Sequence, residues 1–540
     1  MGDIRLLDCT LRDGGYVNDW EFGHNNLISV YERLVSAGVE IIEVGFIDER
    51  RPFDSERSIF PNTESVEKIW GSVRKKAPMT VGMIDYGTCS LENIQDCKDS
   101  FLDGIRVIFK KHIMHEAMAY CAELKKKGYK VFSQLVSITS YSDDELMELV
   151  ELVNEVEPYA VSMVDTYGLL TPDSLLHYYE LLDKNVKKNI QIGFHAHNNL
   201  ELAYANDYAF VSKKTERDIV VDATLYGMGK SAGNSQIELV TNHLNRVFGK
   251  KYAITPLLEC IEESIMPFFE KSPWGYKMFF YLCAKNRCHP NYVSYFLEKD
   301  NLSVTNLDQL LSRIEPEDKK LLYDGKVAEA IYQDYLKNET NDELAIGQLK
   351  DSMKEKEVLL IGPGKTAALQ KEKINEYINN NHPIVVAINY IPEDIPVDYV
   401  FATKNSRYQQ MTDALHENKN IRIIATTNIT AVSGEFDYVI NRAPLLEEKE
   451  YVKDNSFLML LNVLQQVGVK KVSCAGLDGY SSKEENYANP HMEYEFVKHE
   501  AEYLNRHIRT MLSGKYANMQ VSFITYSHYS QEDSIMSARI

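Results

Sequence analysis

The 540-residue sequence has no pair of cysteines at C-x-x-C spacing. Its eight cysteines (Cys9, Cys89, Cys97, Cys121, Cys260, Cys283, Cys288 and Cys474) are scattered, which argues against a thiolate metal site or a disulfide framework and for reduced thiols. Positive charge is also scarce. Fifty-nine Lys and Arg stand against 79 Asp and Glu, a net charge of −20, which excludes broad binding to nucleic-acid backbone or anionic membrane. No apolar run approaches the roughly 18 residues that span a bilayer. Met1-Gly2-Asp3-Ile4-Arg5 leads straight into a strand-like segment rather than a signal peptide. There is no solenoid repeat and no low-complexity tract. These absences predict a soluble, cytoplasmic protein whose partners are small molecules, with no nucleic acid and no membrane. What is present is a globular balance, 44% hydrophobic and 26% charged, over a length that calls for two or three folded units.

From the N-terminus, apolar β-rich runs alternate with helix-period segments. The expected strands are Ile4–Thr10, Glu40–Phe46, Met79–Asp85, Gly104–Phe109, Lys130–Ser137, Ala160–Asp165, Ile190–His197 and Ile219–Leu225. Eight β/α alternations in about 250 residues predict a (β/α)8 TIM barrel over 1–250, with a doubly wound open sheet as the structural alternative. Residues 251–345 turn helical and aromatic and read as a helical extension packed on the barrel, with Trp274, Tyr276, Phe279, Phe280 and Tyr281 as its core. The acidic, polar stretch from Lys337 to Lys354 reads as a linker. A second α/β domain follows over 356–540, with six strands expected at Val358–Ile361, Pro383–Ile388, Tyr399–Ala402, Ile421–Thr426, Tyr438–Asn441 and Lys471–Ala475. Spaced in this way they predict an open Rossmann-like sheet.

A barrel carries its functional residues at the carboxyl ends of its strands. The first expected strand ends in Leu11-Arg12-Asp13-Gly14-Gly15, a cation, a carboxylate and a flexible turn. The second carries Glu43, able to pair with Arg12 across the rim. The seventh ends in His195-Ala196-His197, and in a strand residues i and i+2 face one side, so both imidazoles can address one ion. The eighth runs into Gly227-Met228-Gly229-Lys230-Ser231-Ala232-Gly233-Asn234, which brings a carboxamide to the same rim. Each motif alone has an ordinary structural explanation; in this order, on strands one, two, seven and eight, they converge on metal-ligand chemistry. Asp165-Thr166, at the end of the sixth strand, reads either as a polar wall of a substrate pocket or as a turn leading to the helix at Thr171-Pro172.

These motifs resemble the DRE-TIM metallolyases, a family that includes hydroxymethylglutaryl-CoA lyase, isopropylmalate and citramalate synthases and 4-hydroxy-2-oxovalerate aldolase. The resemblance covers about residues 3–250. It implies that Asp13, His195 and His197 hold a divalent metal, with Asn234 as a further ligand of the lyase branch. It implies that Arg12 stabilises an enolate oxygen and that Glu43 fixes Arg12. A mixed carboxylate and imidazole set suits Mn²⁺ or Mg²⁺, with zinc and cobalt as alternatives. The implied activity is that of a metal-dependent carbon–carbon lyase, an aldolase acting through the enolate of a 2-oxo acid such as pyruvate with an aldehyde partner. An acyl-CoA-dependent Claisen synthase and a non-catalytic barrel joined to a nucleotide-sugar-binding or glycan-related module are the alternatives. The oxovalerate aldolases carry a histidine three residues after the metal Asp; here that residue is Tyr16, which serves either as a proton donor or carrier or as substrate packing. His112 and His115 are further candidates for the base, or surface residues. The segment Cys288–Val293 resembles the helices that adjoin the barrel mouth in these aldolases, which are often homodimers.

In the second domain, Gly362-Pro363-Gly364-Lys365-Thr366 fails as a P-loop because the position of its first glycine is Leu359. Read as G-x-G-x-x-A it places Gly362 and Gly364 in a dinucleotide turn, but the second strand ends at Asn389 rather than at an acidic residue, which disfavours NAD. Gly362, Gly364 and Asn389 are therefore candidate cofactor-binding residues for a nucleotide. The turn resembles those of sialyltransferase-like and pterin-pyrophosphokinase-like proteins. A purely structural domain is the alternative.

Overall fold

A computed structural model of the chain describes residues 2–213, 215–299, 302–337, 340–432, 434–483, 485–487 and 495–530. It divides into two compact units, Met1–Ser294 with Ile314–Asp324, and Tyr295–Arg313 with Gly325–Ile540.

The first unit is a closed barrel of eight parallel strands: β1 (Ile4–Asp8), β2 (Ile41–Ile47), β3 (Met79–Asp85), β4 (Gly104–Phe109), β5 (Lys130–Leu135), β6 (Ala160–Asp165), β7 (Gln191–Ala196) and β8 (Ile219–Ala223). Closure is direct: β1 pairs with β2 (Leu7 opposite Ile41) and with β8 (Ile4 opposite Ile219). All eight expected strands are present, so the open-sheet alternative falls. An additional two-residue strand, Ile59–Phe60, pairs with the outer end of β2.

The barrel interior is layered by the two-residue period of its strands. Leu7, Ile41, Met79, Val81, Phe132, Ala160 and Val220 form a buried apolar cluster. Two residues further toward the carboxyl end, Ile41, Phe132, Ala160 and Val220 are followed by Glu43, Gln134, Ser162 and Asp222, all buried. With Arg106 of β4 they make a polar storey above the apolar one. A far larger cluster, including Leu27, Tyr31, Leu34, Trp70 and Phe210, packs in the surrounding shell.

The second unit contains a sheet of seven parallel strands: β9 (Glu357–Ile361), β10 (Ile384–Ile388), β11 (Tyr399–Ala402), β12 (Arg422–Thr426), β13 (Tyr438–Ile440), β14 (Lys471–Ala475) and β15 (Gln520–Phe523). Their spatial order is β13-β12-β11-β10-β9-β14-β15. The chain therefore builds outward from β9 to β13, then crosses back to lay β14 and β15 on the other side of β9. The last strand has no counterpart in the six expected from sequence, being four residues with only partial burial. Within the stretch expected as a linker, residues 338 and 339 lie outside the described residues, and Glu343–Met353 is a helix whose Leu349 and Met353 lie in the second unit's core.

Strand β2 contains a glycine that the site depends on. Gly45 has φ +143°, and a Cβ there would lie 1.9 Å from the Ser58 carbonyl oxygen. The pairing of β2 with β3 shifts register between Glu43 and Phe46. The irregularity lets Ser58 approach β2 while Glu43 stays inside. Gly45→Ala combines a disallowed φ with a backbone clash and is expected to cost at least about 3 kcal/mol of stability. Chemical or thermal denaturation measures this, and a midpoint equal to that of the parent protein would contradict it.

Candidate metal centre

The turn after β1 begins a short helix, Thr10–Asp13, that carries Arg12 and Asp13 into the barrel mouth. Trp20 Nε1 donates to the Arg12 carbonyl oxygen at 2.8 Å, pinning that turn. Arg12 Nε donates to Glu43 Oε2 at 2.8 Å and Nη1 to Asp13 Oδ1 at 2.5 Å. The pairing of Arg12 with Glu43 anticipated across the rim is thus formed. The two bonds leave Nη2 as the remaining nitrogen of a guanidinium that lines the mouth cavity.

His195 and His197, two residues apart at the end of β7, bring their rings to 5.0 Å between centroids. One ligand atom each from Asp13, His195 and His197 lie within 4.8 Å of one another. Asn234 joins them: its Nδ2 donates to Asp13 Oδ2 at 2.6 Å, and its backbone forms an antiparallel bridge with His197. Gly229 makes room for this, since a Cβ there would meet Asn234 Nδ2 at 2.2 Å and Asp13 Oδ2 at 2.6 Å.

Burial makes the polar atoms of this group informative. Asp13 (1% exposed), His195 (2%), His197 (5%) and Asn234 (2%) are buried, yet His195 Nε2, His197 Nδ1 and Asn234 Oδ1 have no hydrogen-bond partner among the described residues. A buried acceptor left unsatisfied costs about 1–3 kcal/mol, so three of them beside one carboxylate fit a cation as their common partner. Burial alone would raise the Asp13 carboxyl pKa, but the Arg12 guanidinium, with His197 and His195 behind it, holds it below the ordinary carboxylate range. Burial pushes the His197 imidazole down to about 3. The carboxylate is thus charged and this imidazole neutral at neutral pH, as metal ligands must be.

Beneath this group lies a network with no sequence motif. Asp222 Oδ2 accepts from His195 Nδ1 at 3.0 Å, which fixes the tautomer that leaves Nε2 free. Arg106 spans the barrel: Nη1 donates to Glu43 Oε2 at 2.9 Å, and Nη2 to Gln134 Oε1 at 3.1 Å and to Asp222 Oδ2. Asp222 and Arg106 were not singled out from sequence. The available signal was a charged residue inside each of two apolar strands, IRVIF and IVVDA.

The mouth above is a cavity of about 170 Å³ whose lining includes Tyr16, Lys110, Thr166, Tyr167, Lys230 and His289. Tyr16 packs edge-on against Trp20 and Phe46. Desolvation and then the Asp13 charge push its phenol up, away from the lowered pKa that a proton carrier would need. Thr166 lines the cavity and accepts from the Ser137 N–H at 2.8 Å. Asp165 is outside this lining; its two oxygens accept from Leu169 N and Leu170 N at 2.8 and 3.0 Å, forming the turn before the next helix. His112 and His115 are exposed, and His115 pairs with Glu148.

In the second unit, the residues after β9 (Pro363, Gly364), β10 (Asn389) and β14 (Gly476–Tyr480) line a cavity of about 130 Å³ with Lys404 and Arg407. Gly362 and Gly364 are required by packing: a Cβ at either would lie 2.6 Å from the Gly476 carbonyl oxygen. Asn389, at φ +59°, is tied by its amide to Thr403 and Ser456.

The HMGL-like family model matches residues 3–256. Over 246 residues the chain is 27% identical to the 4-hydroxy-2-oxovalerate aldolase of Geobacillus genomosp. 3, covering 45% of this chain and 71% of that protein. Over 241 residues it is 27% identical to the oxaloacetate decarboxylase of Mycobacterium tuberculosis, covering 45% and 70%. The HMG-CoA lyase structure from Bacillus subtilis superposes with a TM-score of 0.40 at 16% identity, covering 51% of this chain and 94% of that one.

Asp222→Asn removes the charge that orients His195, and a tenfold to hundredfold loss of Mn²⁺ affinity is expected. His195→Ala and His197→Ala are expected to abolish tight binding. Calorimetry on dialysed protein reads both, and parental affinity in the two histidine variants would refute the ligand assignment.

Proposed function

We propose that this chain, whose residues 3–256 are an HMGL-like enzyme domain, is a divalent-metal-dependent carbon–carbon lyase acting through the enolate of a 2-oxo acid such as pyruvate. The observation that carries this reading is the set of buried, partnerless ligand atoms on His195, His197 and Asn234 beside a charged Asp13. In the residues' proposed roles, Asp13, His195, His197 and Asn234 hold Mn²⁺ or Mg²⁺. When bound, the metal would polarise the 2-oxo group and offset the charge of its enolate.

The chain's own residues account for the rest. Arg12, held rigid by Glu43 and Asp13, presents its remaining nitrogen to the substrate oxygen that becomes negative, and so stabilises charge without having to reorient. Tyr16, a phenol lining the same cavity, would donate to the oxygen of the second substrate. In the synthetic direction pyruvate C3 loses a proton and bonds to the aldehyde carbon, whose oxygen gains a proton. Cleavage of the 4-hydroxy-2-oxo acid is the reverse. The cavity is small beside the ~300–1,000 Å³ of sites for drug-sized ligands, which favours short acids and aldehydes over a fully enclosed thioester.

The second unit fits a Rossmann-like nucleotide module in one respect: its cavity lies at the carboxyl edge of a parallel sheet where the strand order reverses beside β9. The helix after Gly364 is not the phosphate seat. Asp478 already accepts from Thr366 N at 2.9 Å and from the Thr366 hydroxyl. A phosphate would instead meet Lys404 and Arg407.

With Mn²⁺ present, the protein is expected to exchange the C3 hydrogens of pyruvate with deuterium in D2O, read by NMR. Arg12→Lys replaces a planar fork by a point charge and is expected to slow exchange roughly a hundredfold. No exchange in the parent protein across a series of 2-oxo acids would remove the proposed activity. Unchanged exchange in the variant would remove Arg12 from it.

A further inference from the structure

The barrel mouth holds two cations that the enolate chemistry leaves unused. Lys110 follows β4, and Lys230 lies in the glycine-rich loop after β8; both line the cavity. Among the described residues neither ammonium has a carboxylate within ion-pair distance. Lys230 is only partly exposed, and its ammonium lies 5.3 Å from the centre of the Tyr16 ring. Arg12 does not share this role, because Glu43 and Asp13 already neutralise it.

The opposite wall adds a donor. His289 Nδ1 accepts from the Asn291 N–H at 3.1 Å, so the neutral ring carries its proton on Nε2. Burial, then Lys230 and Lys110, push this imidazole down to about 4, which keeps it neutral. Its ring packs against Tyr167 at 5.5 Å. Asp85 is the one acidic group of the lining besides Asp13. It feels the charge of both lysines but lies beyond ion-pair distance of either.

The geometry points to an anion subsite formed by Lys110, Lys230 and His289, which receives an anionic oxyacid group on the second substrate. The inference rests on the carbon–carbon lyase reading and narrows it: the aldehyde condensed with the 2-oxo acid carries a carboxylate or a phosphate. Lys230, a partly buried cation without an ion-pair partner, is stabilised by such a group, and the exposed Lys110 adds its charge at the same mouth. A neutral aldehyde such as acetaldehyde leaves them unpaired.

The full-length protein with Mn²⁺ is assayed for pyruvate consumption with acetaldehyde, with glyoxylate and with glycolaldehyde phosphate. At least one anionic aldehyde is expected to exceed acetaldehyde tenfold or more in kcat/KM, and which one identifies carboxylate or phosphate. In Lys110→Met and Lys230→Met that preference is expected to fall at least tenfold, through KM, while Lys110→Arg retains most of it. A preference near one in the parent protein, or one unchanged in both methionine variants, overturns the subsite. If no aldehyde is consumed, the lyase reading itself fails, and the subsite is then judged by calorimetry with malonate and with inorganic phosphate on EDTA-treated protein. Binding at least tenfold weaker in the double methionine variant supports it, and equal or undetectable binding in both proteins overturns it.

Discussion

The candidate site rests on a buried network of mutually paired charges. Arg12 and Arg106 share Glu43; Arg12 also holds Asp13, and Arg106 also holds Asp222. Two guanidiniums against three carboxylates leave a single negative charge, in a region where removing one partner of a pair costs about 3–5 kcal/mol. A divalent cation would invert the sign to a single positive charge, which in the proposed reaction would suit the carboxylate of a 2-oxo acid. Asp8 marks the limit of this arrangement. Burial first, and then crowding by Glu43 and Asp222, push its carboxyl up to about 7 despite two hydrogen bonds from Thr10. A carboxyl that has no guanidinium of its own is thus held toward its neutral form beside the paired ones.

The layering explains what could be read from sequence. Barrel strands and the ligand set announce themselves because β/α alternation, LRDGG and HxH are local patterns. Arg106, Gln134 and Asp222 carry no motif: each is a single polar residue in an apolar strand, and its meaning appears only when closure brings β4, β5 and β8 around one axis. Their spacing of two from an apolar neighbour was visible, but the partner strand was not. Asp165 shows the converse. A carboxylate at the end of β6 invites a pocket assignment, yet two backbone N–H groups of its own loop claim it. Strand β15 was missed because four half-buried residues carry almost no periodic signal.

Glycines in the two units illustrate why a glycine-rich turn is ambiguous in sequence. Gly229 is empty space that lets Asp13 and Asn234 touch. Gly364 is empty space that lets Asp478 and Gly476 approach the first turn of the following helix. The same residue type serves a ligand set in one case and loop-to-loop packing in the other. The deciding fact is which atoms fill the missing Cβ, and in both cases some come from residues more than a hundred positions away.

Tyr16 stands where the sequence comparison with the oxovalerate aldolases expects a histidine, and its surroundings bear on how it would handle a proton. A lowered phenol pKa would have made it a proton carrier; instead desolvation and Asp13 raise it to about 12. His289, neutral and with Nδ1 already accepting a backbone N–H, is likewise a donor. The mouth is therefore dominated by groups that give hydrogen bonds: a phenol, an imidazole N–H, two ammoniums and the remaining nitrogen of Arg12. Such a lining stabilises oxygen atoms that gain negative charge on either reacting partner and does little for neutral ones. In the proposed reaction the same electrostatic bias that would stabilise an enolate beside Arg12 would favour an oxyacid group beside Lys110 and Lys230, so one donor-rich lining accounts for both preferences.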